Sequence, residues 1–254
     1  MENLFKQELA GGNRQIGLWC SLANPISAEI IAGSGFDWLL IDVEHAPNDL
    51  RSVLSLLQAA APYPTEAMVR MPSSDPVRLQ QYLDIGARSL MIPDVRDAQT
   101  AATVISATRY PPEGIRSISM STRANRYGRV PDYHRNAGRG ICIAVQIESA
   151  EGVDNADLIA QVDGVDALFI GPADLSANLG HMGQPHSPAV QAAITRVLDA
   201  AKRHGKAAGI LAMSRQDAEG YLAAGMTMVA VGSDQSLLIK ASDALAAHFK
   251  ALPL

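Results

Sequence analysis

A chain of 254 residues with 48% hydrophobic and 19% charged residues has apolar material for one large core and too little polarity for disorder. Its net charge of -5 excludes the basic footprint of a nucleic-acid or anionic-membrane binder, and no run approaches the ~20 apolar residues that span a bilayer. The first twelve residues carry Glu2, Lys6 and Glu8 in place of a signal peptide's apolar stretch, so a cytoplasmic protein acting on small molecules is expected.

Short apolar or β-branched runs alternate with stretches of helical period, the pattern of βα units on a parallel sheet. In chain order, a strand at 15–21 precedes a helix at 27–33, a strand at 37–43 a helix at 50–60, and a strand at 66–71 a helix at 76–83. The strand at 89–93 is followed by a helix at 98–108, and that at 141–147 by a helix at 153–161. Strands at 167–171, 207–212 and 227–232 precede helices at 188–204, 216–224 and 235–250. Eight strands in a chain near the usual length of about 250 residues predict an α/β fold of the (β/α)8 TIM-barrel type, one domain over 1–254. Gly35, Gly86, Gly205 and Gly225 fall between a helix and the next strand, where a left-handed C-terminal cap is expected. The stretch 108–140, rich in arginine and glycine, is too long for an ordinary connection and reads as a surface excursion, a lid or a subunit contact. Cys20 and Cys142 sit in strand runs and are expected to be buried, reduced thiols.

A barrel of this kind builds its active site from the carboxyl ends of the strands. Those ends here are polar. The second strand runs into Asp42-Val43-Glu44-His45, the third into Arg70, the fifth into Gln146-Ile147-Glu148, and the sixth into Gly171-Pro172-Ala173-Asp174. Glu148 and Asp174, one βα repeat apart, would repel each other unless a cation lay between them or one were protonated; a cation is the simpler resolution, and an all-oxygen donor set favours a hard ion: Mg²⁺, Mn²⁺ or Co²⁺. The competing reading has each carboxylate merely capping the helix that follows. His45 is a candidate general base, its imidazole titrating near neutrality. Arg70, in an apolar strand, needs an anionic partner, which is either a substrate carboxylate or enolate or the neighbouring Asp42.

Two absences narrow the chemistry. Lysine occurs only at positions 6, 202, 206, 240 and 250, none at a strand's carboxyl end, which disfavours a Schiff-base mechanism. The segments after the seventh and eighth strands lack a glycine-rich phosphate cradle, which disfavours a sugar phosphate.

The segments Gln15-Ile16-Gly17-Leu18-Trp19, Gly35-Phe36-Asp37-Trp38, Glu44-His45-Ala46-Pro47-Asn48, Arg109-Tyr110-Pro111-Pro112, Gln146-Ile147-Glu148 and Gly171-Pro172-Ala173-Asp174 together resemble the metal-dependent (class II) pyruvate aldolases of the HpcH/HpaI group. The resemblance covers nearly the whole chain. It implies reversible cleavage of a 4-hydroxy-2-oxo acid, such as 4-hydroxy-2-oxoheptanedioate or a 2-keto-3-deoxy sugar acid, into pyruvate and an aldehyde. It further implies that Glu148 and Asp174 hold the metal, that Gln146 and the backbone of Ala173 and Asp174 contact the 2-oxo acid, and that Trp19, Gly171, Pro172 and Leu211 line the substrate pocket. His45 matches the family's base, Arg70 the residue facing the enolate, and Asp84 the acid that orients the histidine. Asp84 follows the helix at 76–83 and belongs at the opposite face, so this last role requires a neighbouring subunit, as in a homohexamer built of paired trimers. Val43, Asp94 and the stretch Arg116-Ser117-Ile118-Ser119 depart from the family pattern, which bears on loop conformation and aldehyde selectivity. Two rival readings are a citrate-lyase-like enzyme acting on an acyl-CoA thioester and a non-catalytic 2-oxo acid sensor.

Overall fold

The computed structural model describes residues 2–212 and 214–252, and Met213, in the loop after the seventh predicted strand, lies outside them. Eight parallel strands close into a barrel: β1 (Gln15–Cys20), β2 (Trp38–Asp42), β3 (Glu66–Arg70), β4 (Ser89–Ile92), β5 (Cys142–Ile147), β6 (Ala167–Ile170), β7 (Ala207–Leu211) and β8 (Met228–Ser233). Each strand pairs with the next in sequence, and β8 pairs with β1. The predicted (β/α)8 barrel is the observed fold.

Two layers of apolar side chains hold it, as strand alternation requires. Inside the barrel, Trp19, Trp38, Leu40, Met68, Met91, Phe169 and Met228 form one cluster. Gly17 exists for the Trp38 ring, since a Cβ there would lie 2.2 Å from it. Outside, Leu39, Ile41, Val69, Leu90, Val145, Leu168 and Val229 meet the helices in a second cluster. Cys20 and Cys142 are buried and free, with burial raising both thiol pKa values, so neither is a nucleophile.

The helices are α1 (Leu4–Ala10), α2 (Pro25–Ala32), α3 (Leu50–Ala60), α4 (Pro76–Asp84), α5 (Ala98–Thr108), α6 (Tyr133–Asn136), α7 (Ala150–Asp154), α8 (Ala156–Ala160), α9 (Pro172–Asn178), α10 (Pro188–Arg203), α11 (Arg215–Ala224) and α12 (Asp234–Lys250). Four features differ from the sequence expectation, one of them the single turn of α6 within the 108–140 stretch. The predicted helix at 153–161 is two short ones: Asn155 ends α7 by bonding to Glu151 O and anchors itself through its side chain to Arg96 O. Helix α9 follows β6 directly, where a loop was expected, because Pro172 at its first turn fits a helix start. Helix α1 had no sequence prediction; capped by Asn3, it drives Phe5 and Leu9 into the barrel's amino end. Gly86, Gly205 and Gly225 do close α4, α10 and α11 in the left-handed region, and Gly35, at φ +89°, lies two residues past the cap of α2.

The stretch between α5 and β5 stays at the amino end. Ala124 N donates to Asp84 O, Arg123 to Ile85 O, and Tyr110, Tyr133 and Ala137 form a small core of their own. A lid over this barrel's own carboxyl-end rim is therefore not its arrangement.

Candidate active site

At the carboxyl end of β2, Asp42 is buried and accepts from four directions. Arg70 Nε donates to Oδ1 at 2.9 Å and Nη2 to Oδ2 at 2.6 Å, while the backbone N–H groups of Glu44 and His45 donate to Oδ1. Burial works to raise the Asp42 pKa, but the Arg70 hydrogen bonds and charge, with the two backbone donors, outweigh it and hold the carboxyl below its ordinary value. Arg70 also meets Glu44 through Nη1 at 3.1 Å and lies 5.1 Å over the Trp19 ring. Its partner among the described residues is thus Asp42, with Glu44 on the remaining nitrogen. His45 stands on the same turn, its side chain 65% exposed and Nε2 3.9 Å from Glu44 Oε2.

Opposite them, at the end of β5, Glu148 is buried with its carboxylate fixed from both sides. Asp94 N donates to Oε1 at 2.8 Å and Gln146 Nε2 to Oε2 at 3.0 Å. Burial is the largest influence on Glu148; the Asp94 N–H opposes it and the charges of Asp174 and Glu44 add to it, so its pKa is pushed up to about 7. Glu44 is likewise raised, by burial first. A cation bound at this rim would relieve the unfavourable charge that Asp174 and Glu44 place on Glu148.

The donor set fits such an ion. Gln146 Oε1 is buried without a hydrogen-bond partner among the described residues, and a Cβ on Gly171 would come within 2.2 Å of Glu148 Oε2, so glycine there makes room for the carboxylate. Neither carboxylate acts as a helix cap: Ser149 caps α7, and the N-cap of α9 is Gly171. Asp174 projects, exposed, from the first turn of α9, where the N–H groups of Ala173 and Asp174 have no side-chain cap. Among the described residues no three His, Cys, Asp or Glu side chains gather in ligating geometry.

The structure thus brings Trp19, Arg70, Gln146, Glu148, Gly171 and Pro172 to one end of the barrel, with His45, Ala173 and Asp174 at its rim and Leu211 at the end of β7. Asp84 does not join them. It ends α4 at the far face, where Arg116 Nη2 donates to it at 2.6 Å. One functional contact escaped sequence reading: Asp94 sits at φ +49° so that its N–H reaches Glu148. Aspartate after the proline that closes β4 was its signal, because aspartate tolerates the left-handed region better than most residues.

A closed parallel barrel whose carboxyl-end rim carries carboxylates, an amide, an imidazole and a guanidinium has the arrangement of an α/β-barrel enzyme. The model of the HpcH/HpaI aldolase/citrate lyase family matches residues 15–241, and the chain belongs to that family. It is 51% identical over 252 residues to a 4-hydroxy-2-oxo-heptane-1,7-dioate aldolase of Salmonella arizonae, covering 99% of this chain and 96% of that one. An aldolase of the same name from Klebsiella pneumoniae is 51% identical over 250 residues, 98% of this chain and 94% of that one. A solved HpcH/HpaI aldolase/citrate lyase family protein from Burkholderia cenocepacia superposes with a TM-score of 0.96 at 41% identity, covering 98% of this chain and 100% of that one. The chain is an enzyme of the aldolase type.

Proposed function

We propose that this enzyme reversibly cleaves a 4-hydroxy-2-oxo acid, of which 4-hydroxy-2-oxoheptanedioate is the leading candidate, into pyruvate and an aldehyde. The observation that carries the reading is the Glu148 carboxylate, held by Asp94 N and Gln146 Nε2 over Gly171 with the charge of Asp174 close by, which suits a divalent cation. Mg²⁺, Mn²⁺ or Co²⁺ there would be held by Glu148 and Asp174 and would supply Lewis acidity to the carboxylate and carbonyl of the 2-oxo acid.

The protein's own groups do the rest. Gln146 and the first-turn N–H groups of α9 orient the 2-oxo acid. His45, on the open rim, takes the proton of the 4-hydroxyl as the C3–C4 bond breaks; the electron pair of that bond passes to the pyruvate fragment, and the alkoxide carbon becomes the aldehyde. Arg70, fixed by Asp42 through Nε and Nη2 and by Glu44 through Nη1, sets its positive charge beside the developing enolate. A proton delivered to C3 completes pyruvate. The lysines do not compete for the substrate: Lys6, Lys202 and Lys206 donate to backbone carbonyls away from the rim, and Lys240 and Lys250 lie on α12.

The working unit in this reading is a homohexamer of paired trimers in the cytoplasm, in which Asp84 of one copy supports His45 of the next. Helix α12 favours assembly. Only Asp234 of its residues is buried, and Leu237, Leu238, Ile239, Leu245 and Phe249 are each more than half exposed. No described helix is long and apolar enough to cross a membrane. Treatment with borohydride in the presence of pyruvate tests the mechanism: the proposal expects no pyruvate adduct on any lysine and complete loss of turnover on chelation, and a trapped lysine would contradict it.

A further inference from the structure

A second concavity of about 590 Å³ opens at the amino end of the barrel, away from Glu148 and Asp174, between the starts of β3, β4 and β5 and the stretch 116–140. We propose that it is a binding site for a small oxyanion bearing two or more negative charges. In a chain of net charge -5, five arginines border this one cavity, Arg88, Arg116, Arg123, Arg126 and Arg129, against Glu2 and Glu66. Glu66 is already neutralised by Arg88 at 2.6 Å, and Glu2 is exposed.

Arg116 is the deepest of the five. Only 1% exposed, it spends Nη2 on Asp84, lies 4.6 Å over the Tyr110 ring, and leaves Nε and Nη1 without a hydrogen-bond partner among the described residues. Its side chain is wholly buried, so it backs the cavity wall with positive charge, and the exposed arginines at the mouth are left to meet a ligand. Arg123 passes over Gly86, where a Cβ would meet its Nη1 at 2.6 Å, and is aimed by a bond to Ile85 O.

The backbone around the mouth is held in a conformation that demands a reason. Arg126 and Tyr127 both have positive φ, 50° and 57°, followed by Gly128 at 84°. The buried Asn125 side chain enforces this, accepting from Thr122 N and Gly128 N and donating to Met120 O. Two consecutive non-glycine residues in the left-handed region, tied down by a buried amide, present Arg126 and Tyr127 to the cavity. Strain maintained in this way is characteristic of a ligand clamp. The cavity volume is that of a small-molecule pocket, and its lining suits either a polycarboxylate or a phosphate-like anion.

Through Arg116 the cavity wall touches Asp84, which the proposed assembly seats beside a neighbouring His45, and the test is arranged so that the anion site and the aldolase reading fail separately. Full-length, metal-loaded protein is titrated calorimetrically at fixed ionic strength with inorganic sulfate and, in a second arm, with tricarballylate, both with pyruvate at saturation to occupy the carboxyl-end site. One saturable anion per chain is expected, with affinity at least tenfold weaker in Arg126→Ala/Arg129→Ala and with pyruvate release unchanged by that variant. Tighter binding of tricarballylate assigns the site to polycarboxylates, and tighter sulfate binding to phosphate-like anions. If the double variant is unstable, Arg123→Gln replaces it with the same expected loss. Absence of saturable binding to both probes, titrations unaltered by these substitutions, or a variant that changes the sedimenting mass and not anion affinity would overturn the proposal.

Discussion

Burial, with the carboxylates of Asp174 and Glu44 nearby, keeps a proton on Glu148 up to about pH 7, whereas the same carboxyl in an unfolded chain releases it near 4.5. Between those values the folded, metal-free chain holds the extra proton, so its stability falls as pH rises through the window, by up to about 3 kcal/mol. Urea unfolding of chelated protein at pH 5 and pH 8 measures this, and saturating Mn²⁺ is expected to remove the difference. Asp42 works in another range. Its pKa is lowered from 3.8, so its contribution is present above that value and is lost as pH falls through the folded pKa. Arg70→Ala strips Asp42 of both its side-chain donors and leaves a buried, unpaired carboxylate, with an expected cost of about 3–5 kcal/mol in the same unfolding assay. An unchanged midpoint would mean that the pair carries no net stability.

Among the elements, the turns that leave β4 and β6 decide how Glu148 stands. Asp94 adopts φ +49° to deliver its N–H, so Asp94→Gly is expected to retain Mn²⁺ affinity while Asp94→Val, whose β-branch resists that conformation, weakens it about tenfold. Gly171→Ala places a methyl against Glu148 Oε2 and is expected to weaken Mn²⁺ binding at least as much, with little change in melting temperature; paramagnetic resonance of free Mn²⁺ reads both. The strands were legible because their apolar runs are short and bounded by Gly and polar residues, and the rim because Asp42, Arg70, Glu148 and Asp174 recur at the same phase of the βα repeat. The break at Asn155 was not legible, since it depends on a bond to Arg96 O, 59 residues away. Helix α1 is likewise a tertiary element: seven residues are too few to be helical alone, and docking of Phe5 and Leu9 under the barrel sustains it.

At the scale of the whole molecule, a single barrel leaves two features without a use: the exposed apolar face of α12 and an Asp84 at the wrong end for His45. Both find a place in the homohexamer proposed above. Leu238→Asp with Leu245→Asp is expected to lower the sedimenting mass while leaving far-ultraviolet circular dichroism nearly intact, because neither side chain contributes to the barrel core. A variant that sediments as the parent does would remove α12 from the interface. The sequence pointed to this scale through the position of Asp84 after α4 and the long 108–140 stretch, and not through α12, because what covers an apolar helix face is decided between chains. The central claim is chemical, and release of pyruvate tests it most directly. With the chelated enzyme resupplied in turn with Mg²⁺, Mn²⁺ and Co²⁺, 4-hydroxy-2-oxoheptanedioate is expected to yield pyruvate and its aldehyde, none without metal, and none from an acyl-CoA thioester. Full activity after chelation, or pyruvate formed only from the thioester, would contradict the account.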